Sequence, residues 1–237
     1  MPPKREQKKD NEPLTGVIVV DSYDPRFAPL SATVGPWCLQ PICNVPLIDF
    51  TLSWIMRTEI QKVMLVVSEK NAHYMEKVEK RWRNCFESLS LISCKNSMSV
   101  GDALRELDTR GLLTNDFLLI SNPATFTSST LKAEIAAFRQ RRSENKNNVM
   151  TVIYSDLKSP RNAVIGIEKG TKKLKIYHKQ EDPSQLEIDK PHFIGDAIIR
   201  RDIVDSGIAI CSLNISAQFS DNFDFQHRDD VIREILV

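Results

Sequence analysis

Short apolar runs recur along the chain, separated by segments with helical spacing of apolar residues. The first run, residues 14–21, is rich in β-branched side chains and ends in an acid. Both of its faces are apolar, which is typical of a strand buried in a parallel sheet. Comparable runs follow at 62–67, 90–93, 116–121 and 149–154.

Helical patterns fill the spaces between these runs. Asn44 is predicted to cap a helix that begins near Pro46, with Asp49 near the positive end of its dipole. Ser99 and Asp102 predict the start of another helix and Gly111 its end. Further helical patterns cover 72–84, 129–142, 214–219 and 228–236. The alternation predicts an α/β fold with a mainly parallel sheet and helices on both faces.

A hairpin and late strands complicate this alternation. Residues 163–168 and 173–178 flank Lys169-Gly170-Thr171-Lys172, which is a hairpin signal. Later strands are predicted at 193–199 and 207–211. We therefore expect a mixed sheet, with the antiparallel strands at its edge.

The amino-acid composition limits the classes of protein to which the chain can belong. The chain has 237 residues, 41% of them hydrophobic, and a formal net charge of +1. These values fit a folded domain and argue against nucleic-acid binding by bulk charge. No run of about 18 apolar residues or secretory signal occurs, so no membrane contact is expected. We predict a disordered charged tail at 1–12 and one domain at 13–237, truncated because the last residues stop within a helical pattern.

The cysteines and histidines carry no metal-binding pattern. The five cysteines are odd in number and include no CxxC pair, and the four histidines form no HxH or HExxH motif. Free thiols in a reducing compartment are the simplest interpretation. No metal site is predicted.

A long loop, residues 22–45, follows the first strand. Ligands of open α/β sheets bind beyond the carboxyl ends of the strands, and a loop of this length is usually functional. Its residues Arg26, Pro29, Leu30 and Ser31, with the segment PICNVPLIDF at 41–50, resemble the signature of the sugar-phosphate nucleotidyltransferases. That resemblance implies a Rossmann-like nucleotidyltransferase fold.

The departures from this signature bear on catalysis. The phosphate-binding glycines are replaced by residues that include Asp21, Ser22 and Asp24, and the family's lysine falls at Trp37. Its metal-binding aspartate falls at Asn122-Pro123, neither of which is a carboxylate. Nucleotidyl transfer depends on metal and positive charge. The resemblance therefore implies a nucleotidyltransferase-like domain with no catalytic residues and no cofactor.

Arg26 has two interpretations. It is either a surviving phosphate ligand or a residue that fixes its own loop through Asp21 or Asp24.

A closer resemblance is to the epsilon-subunit family of eukaryotic translation initiation factor 2B. It spans about residues 13–237, and its segments lie at 19–27, 44–52, 101–108, 210–212 and 219–230. It implies a cytosolic role in translation initiation, in which the factor promotes guanine-nucleotide exchange on the initiation factor 2 GTPase. The expected partners are the gamma and other subunits of initiation factor 2B and that GTPase, with no direct nucleic-acid contact.

In this family the exchange activity resides in a C-terminal helical-repeat domain, so it is not expected in this chain. An Asn-Phe pair that engages the GTPase maps to Asn222-Phe223. The residues themselves leave two interpretations of the pair. One is a helix-capping loop with Phe223 packed inward, and the other is an exposed interface anchor among acids that steer a basic partner.

Two alternatives to the assembly role stay open. The first is that the chain is an active sugar-phosphate nucleotidyltransferase, and the second is that it is a regulatory nucleotide-binding module.

Overall fold

A computed structural model describes residues 13–21, 23, 29, 35–156, 163–179 and 196–236. The predicted tail at 1–12 lies outside these residues. The chain divides into two compact units. The first unit combines Met1–Val152 with Gly207–His227, and the second combines Ile153–Ser206 with Arg228–Val237.

The elements follow the predicted alternation. The strands are β1 (Thr15–Val19), β2 (Pro41–Ile42), β3 (Val45–Pro46), β4 (Lys62–Ser68), β5 (Ser88–Cys94), β6 (Phe117–Ile120), β7 (Met150–Asp156), β8 (Ala163–Glu168), β9 (Leu174–Lys179), β10 (Ala197–Arg200) and β11 (Ile203–Cys211). The helices are α1 (Leu47–Ile55), α2 (Ala72–Trp82), α3 (Val100–Thr109), α4 (Lys132–Glu144), α5 (Asn214–Asp221) and α6 (Arg228–Leu236). Short 3-10 helices lie at Trp37–Leu39, Glu69–Asn71 and Arg83–Cys85.

The main sheet confirms the α/β prediction. It has six strands in the order β5-β4-β1-β6-β11-β7. Strand β1 lies parallel to both β4 and β6, and β4 lies parallel to β5. Successive residues of β1 point to opposite faces, and Val17, Ile18 and Val19 are all fully buried. Both faces of this central strand are therefore covered.

The predicted position of the antiparallel strand is wrong. Strand β11 runs antiparallel to β6, but it lies inside the sheet, between β6 and β7. An antiparallel neighbour needs no crossover connection, so a strand that arrives late in the chain can pair with β6 directly. Its residues Ile208 to Cys211 are as buried as β6, as an interior position requires.

The second unit contains the predicted hairpin. Strands β8 and β9 pair antiparallel, and β10 pairs with the other edge of β8. Gly170 adopts a φ of +101° in the hairpin turn, a conformation that favours glycine. Helix α6 packs against β9, and its buried Arg228 forms an ion pair with Asp205.

Of the two predicted helix caps, one is confirmed and one is wrong. Ser99 caps α3 as expected, because its hydroxyl accepts a 3.0 Å hydrogen bond from the amide of Asp102. The prediction for Asn44 is wrong, since the N-cap position of α1 is Pro46. Asn44 and Cys43 instead have φ values of 64° and 50° in the turn that joins β2 to β3. Two consecutive left-handed residues suit a tight hairpin, and asparagine tolerates that conformation well.

The five cysteines are free thiols, as predicted. Cys43 and Cys85 are exposed, whereas the remaining three are buried. Burial raises the pKa of the Cys94 thiol to about 11. Within the part of the chain described, no helix combines the length and apolar character needed to cross a bilayer.

The different burial of two phenylalanines predicts that their substitution by alanine lowers the free energy of unfolding by different amounts. Phe117 on β6 is fully buried, whereas Phe126 is 48% exposed. We expect Phe117→Ala to lower the free energy of unfolding by about 3–5 kcal/mol, because it opens a cavity. Phe126→Ala should cost about 1 kcal/mol, since it removes mainly a ring contact with Phe50. Urea-induced unfolding measures both, and equal losses would contradict the assignment of the core.

Candidate functional site

Asp21 lies at the carboxyl end of β1, where the predicted phosphate loop begins. Its carboxylate is buried and accepts hydrogen bonds from the amide and hydroxyl of Ser68, at 2.5 and 3.1 Å. The side-chain amide of Asn71 donates another, at 2.5 Å. Ser68 ends β4, the neighbour of β1, and Asn71 lies in the 3-10 helix that follows it. Asp21 therefore ties the ends of two adjacent strands together.

The rest of the predicted loop is only partly described. Ser22, Asp24 and Arg26 lie outside the described residues, so both interpretations of Arg26 stay predictions. Among the described groups, the carboxylate of Asp21 is engaged by Ser68 and Asn71. Trp37 begins a short 3-10 helix and is half-buried.

Tyr23 connects this loop to the turn before α3. Its hydroxyl lies 2.8 Å from the hydroxyl of Ser97. Burial, and then the charge of Asp21, raises the pKa of the Tyr23 phenol far above its usual value. The side chain is therefore a neutral hydrogen-bonding group at physiological pH.

Asn122 and Pro123, which the resemblance places at a metal-ligand position, follow β6. The side-chain oxygen of Asn122 accepts a 3.1 Å hydrogen bond from the amide of Ala124. Pro123 is buried, and its carbonyl accepts a 2.8 Å hydrogen bond from the hydroxyl of Thr51 on α1. Both oxygens therefore serve local structure.

The segment after Pro123 is held on α1 by two further contacts. The indole nitrogen of Trp54 donates a 2.7 Å hydrogen bond to the carbonyl of Ser129. The rings of Phe50 and Phe126 stack with centroids 5.3 Å apart. The chain that leaves β6 is thus packed against α1 rather than left open above the sheet.

These groups do not fit a magnesium ion. A hard cation takes carboxylate, carbonyl or water oxygens, usually with at least one free carboxylate. Among the described residues of the site, Asp21 supplies the carboxylate. Its two oxygens accept three hydrogen bonds. Across the residues the structure describes, no three His, Cys, Asp or Glu side chains converge.

Asn222 and Phe223 form a turn directly after α5. The side-chain oxygen of Asn222 accepts a 3.0 Å hydrogen bond from the amide of Asp224. The Phe223 ring is 71% exposed. Asn222 thus shapes the turn, as the capping interpretation expects, but Phe223 does not pack inward.

The turn is supported by the start of α3. The amide of Gly101 donates a 2.9 Å hydrogen bond to the carbonyl of Gln226. A Cβ atom at Gly101 would lie 2.1 Å from the carbonyl oxygen of Phe225, so the backbones can approach this closely only at a glycine.

Arg105 is the central support of this turn. Its Nη1 atom donates to the carbonyls of Phe219 and Phe225, at 3.0 and 3.1 Å. Its Nη2 atom donates to Asp102 at 2.8 Å. The guanidinium carbon lies 5.2 Å from the centroid of the Phe223 ring.

The sequence analysis did not identify Arg105 as a functional residue. The available signal was its spacing, since Asp102 and Arg105 are three residues apart on a predicted helix. Burial disfavours the charged form of Asp102, but hydrogen bonds from Arg105, Met98 and Ser99 outweigh it and lower the pKa of Asp102. Asp102 is thus a charged partner for the guanidinium at neutral pH.

A separate cavity of about 440 Å³ lies between α1 and α2. It is lined by Val45, Asp49, Phe50, Ser53, Arg81, Trp82 and Cys85. Asp49 accepts hydrogen bonds from Arg81 and Trp82 at its wall. Val45, the last residue of the predicted loop, lines this cavity, whereas Asp21, Trp37, Asn122 and Pro123 do not.

Comparison with curated proteins shows a relationship over the whole chain. The chain is 31% identical over 255 aligned residues to translation initiation factor eIF2B subunit epsilon of Schizosaccharomyces pombe, covering 100% of this chain and 37% of that protein. It is 29% identical to the subunit of the same name from Dictyostelium discoideum, covering 98% of this chain and 34% of that protein. The chain thus spans about a third of these relatives. No family model matches it.

Solved structures show the same fold at low sequence identity. The inositol-1-phosphate CTP transferase of T. maritima superposes with a TM-score of 0.64 and 12% identity, covering 94% of this chain and 80% of that one. A UDP-glucose pyrophosphorylase complexed with UDP-glucose superposes with a TM-score of 0.63 and 14% identity, covering 94% and 86%. The predicted nucleotidyltransferase-like fold is confirmed.

The hydrogen bond between Thr51 and Pro123 predicts a local effect. Thr51→Val keeps the side-chain shape but leaves the Pro123 carbonyl without its donor, which should cost about 1–3 kcal/mol. Hydrogen exchange of the amides in 122–131 should become faster in this variant. Thr51→Ser retains the hydroxyl and should keep these amides protected. Unchanged exchange in Thr51→Val would show that the bond does not hold the segment.

Proposed function

We propose that this chain, an eIF2B epsilon-like region, is a non-catalytic assembly and GTPase-contact domain of the guanine-nucleotide exchange factor for translation initiation factor 2. The similarity to eIF2B epsilon subunits extends over nearly all of this chain, and it supports a role in translation initiation. The expected setting is the cytosol, in a complex with the gamma and other subunits of initiation factor 2B. The chemistry of exchange is expected outside these residues.

The engaged oxygens at the carboxyl edge of the sheet support the non-catalytic part of this proposal. Nucleotidyl transfer needs a metal and cationic groups on the phosphates. Here Asp21 joins two strands, and Pro123 is held by Thr51. Freeing either oxygen would break a structural contact, so a metal ion that used these oxygens would bind only at the expense of the fold.

The exposed ring of Phe223 carries the GTPase-contact part of the proposal. An aromatic side chain that is 71% exposed, on a turn fixed by backbone hydrogen bonds, leaves apolar surface in water. Such rings are typical anchors of protein interfaces. Asn222 sets the turn that presents the ring.

Phe223→Ala tests this contact. We expect it to weaken binding of purified initiation factor 2 about tenfold, the loss typical of an interface anchor. The fold should be retained, because the ring is exposed and the turn is held by Gly101 and Arg105. Phe126→Ala is the control, an exposed phenylalanine elsewhere in the first unit. Equal affinity of Phe223→Ala and the unaltered chain in a binding titration would refute the assignment.

The active-enzyme alternative makes the opposite chemical prediction. The proposed function predicts that the chain, incubated with magnesium, nucleoside triphosphates and sugar phosphates, releases no pyrophosphate above background. A coupled pyrophosphate assay, with a working nucleotidyltransferase as positive control, measures this. Turnover would establish the enzyme, and saturable nucleotide binding by calorimetry without turnover would favour the regulatory module.

A further inference from the structure

Met98 and Phe223 are the two most exposed large apolar side chains of the described residues, at 74% and 71%. Across the same residues, no other large apolar side chain exceeds 49%. Single exposed apolar residues are common on protein surfaces and need no explanation. These two, however, are connected to the same pair of side chains.

That pair is Asp102 and Arg105 on α3. One carboxylate oxygen of Asp102 accepts a 2.9 Å hydrogen bond from the amide of Met98, and the other accepts from Arg105. The Arg105 guanidinium lies against the ring of Phe223. A continuous series of contacts therefore runs from the backbone of Met98 to the Phe223 ring.

Acidic groups accompany this surface. Asp221 and Asp224 flank the Asn222-Phe223 pair and are exposed. Among the described residues, neither forms an ion pair. The cations in and directly after α3 are engaged, since Arg105 pairs with Asp102 and Arg110 pairs with Glu106. The surface is thus apolar at two points and negative beside one of them.

We infer that Met98 is a second anchor of the surface that contains Phe223, and that this surface fits an apolar hollow rimmed by lysine or arginine on the GTPase. We call Met98, Phe223, Asp221 and Asp224 the Met98–Phe223 patch. The inference rests on the proposed function and adds a residue and a partner chemistry to it. Methionine is suited to this position, because its flexible, polarisable side chain adapts to the opposing surface.

The acids set the chemistry of the partner surface. Complementary charge speeds encounter and excludes partners of like charge, with smaller effects on the lifetime of the complex. Buried apolar anchors act mainly on dissociation. Met98 and Phe223 should therefore control the dissociation rate, and Asp221 and Asp224 the association rate and its dependence on salt.

The experiment measures binding kinetics of purified initiation factor 2 to the chain by biolayer interferometry. Met98→Ala should raise the Kd about fivefold or more, mainly through faster dissociation. Met98→Leu should bind nearly as well as the unaltered chain, because it preserves apolar bulk. Met56→Ala is the matched control, since Met56 is 43% exposed at the end of α1.

Charge is tested with a second pair of variants. Asp224→Lys should slow association and weaken its dependence on salt, since only the backbone amide of Asp224 takes part in the turn. Glu76→Lys on α2 makes the same change of charge away from the patch and should have a smaller effect.

The outcomes separate this inference from the proposed function. If Phe223→Ala weakens binding while Met98→Ala behaves like Met56→Ala, Met98 is not an anchor and the proposed contact stands. If neither Phe223→Ala nor Met98→Ala weakens binding, or if the unaltered chain does not bind, the proposed contact also fails. If Met98→Ala instead alters self-association in sedimentation and leaves binding of the factor unchanged, the patch serves a second copy of the chain and the inference is wrong.

Discussion

A guanidinium removed from water needs partners for its charge and for its N–H groups, and Arg105 meets this requirement with groups from three segments. Asp102 neutralises the charge from the same helix, while the carbonyls of Phe219 and Phe225 accept from Nη1. These carbonyls belong to α5 and to the turn that follows it. One buried side chain thereby fixes α3, α5 and the Asn222-Phe223 turn relative to each other.

The close packing of this region follows from the same requirement. Gly101 allows the backbone of α3 to approach Phe225, which brings Arg105 within reach of the carbonyls. A side chain at Gly101 would push the turn away and leave the guanidinium with fewer acceptors. The exposed Phe223 thus lies on a turn that is held by Arg105 and by the backbone of α3.

Polar groups at the carboxyl edge of the sheet are also engaged within the fold. In an open α/β sheet this edge is where ligands bind. Here Asp21 and the chain after β6 bond to neighbouring elements, through Ser68, Asn71 and Thr51. The carboxylate of Asp21 and the carbonyl of Pro123 are paired and belong to buried residues, so they contribute to stability.

Sequence patterns predicted the elements well where both spacing and capping agreed. Ser99 and Gly111 bounded α3 correctly, since both signals depend on local backbone chemistry. Asn44 was assigned to a helix cap because pattern alone does not show that Pro41–Ile42 pairs with Val45–Pro46. The interior position of β11 depends on pairing between residues far apart in the chain, which periodicity does not encode.

The candidate site was predictable to a similar extent. The resemblance singles out Asn222 and Phe223, which stays a prediction, but the contact of the Phe223 ring with Arg105 joins residues about 120 positions apart, which a local pattern does not encode. The exposure of Met98 and the hydrogen bond from its amide to Asp102 were equally absent from the sequence pattern. A rigid support lowers the entropy lost when such side chains are immobilised by a partner. An exposed ring that already rests against Arg105 therefore loses less entropy on being covered than a mobile side chain would.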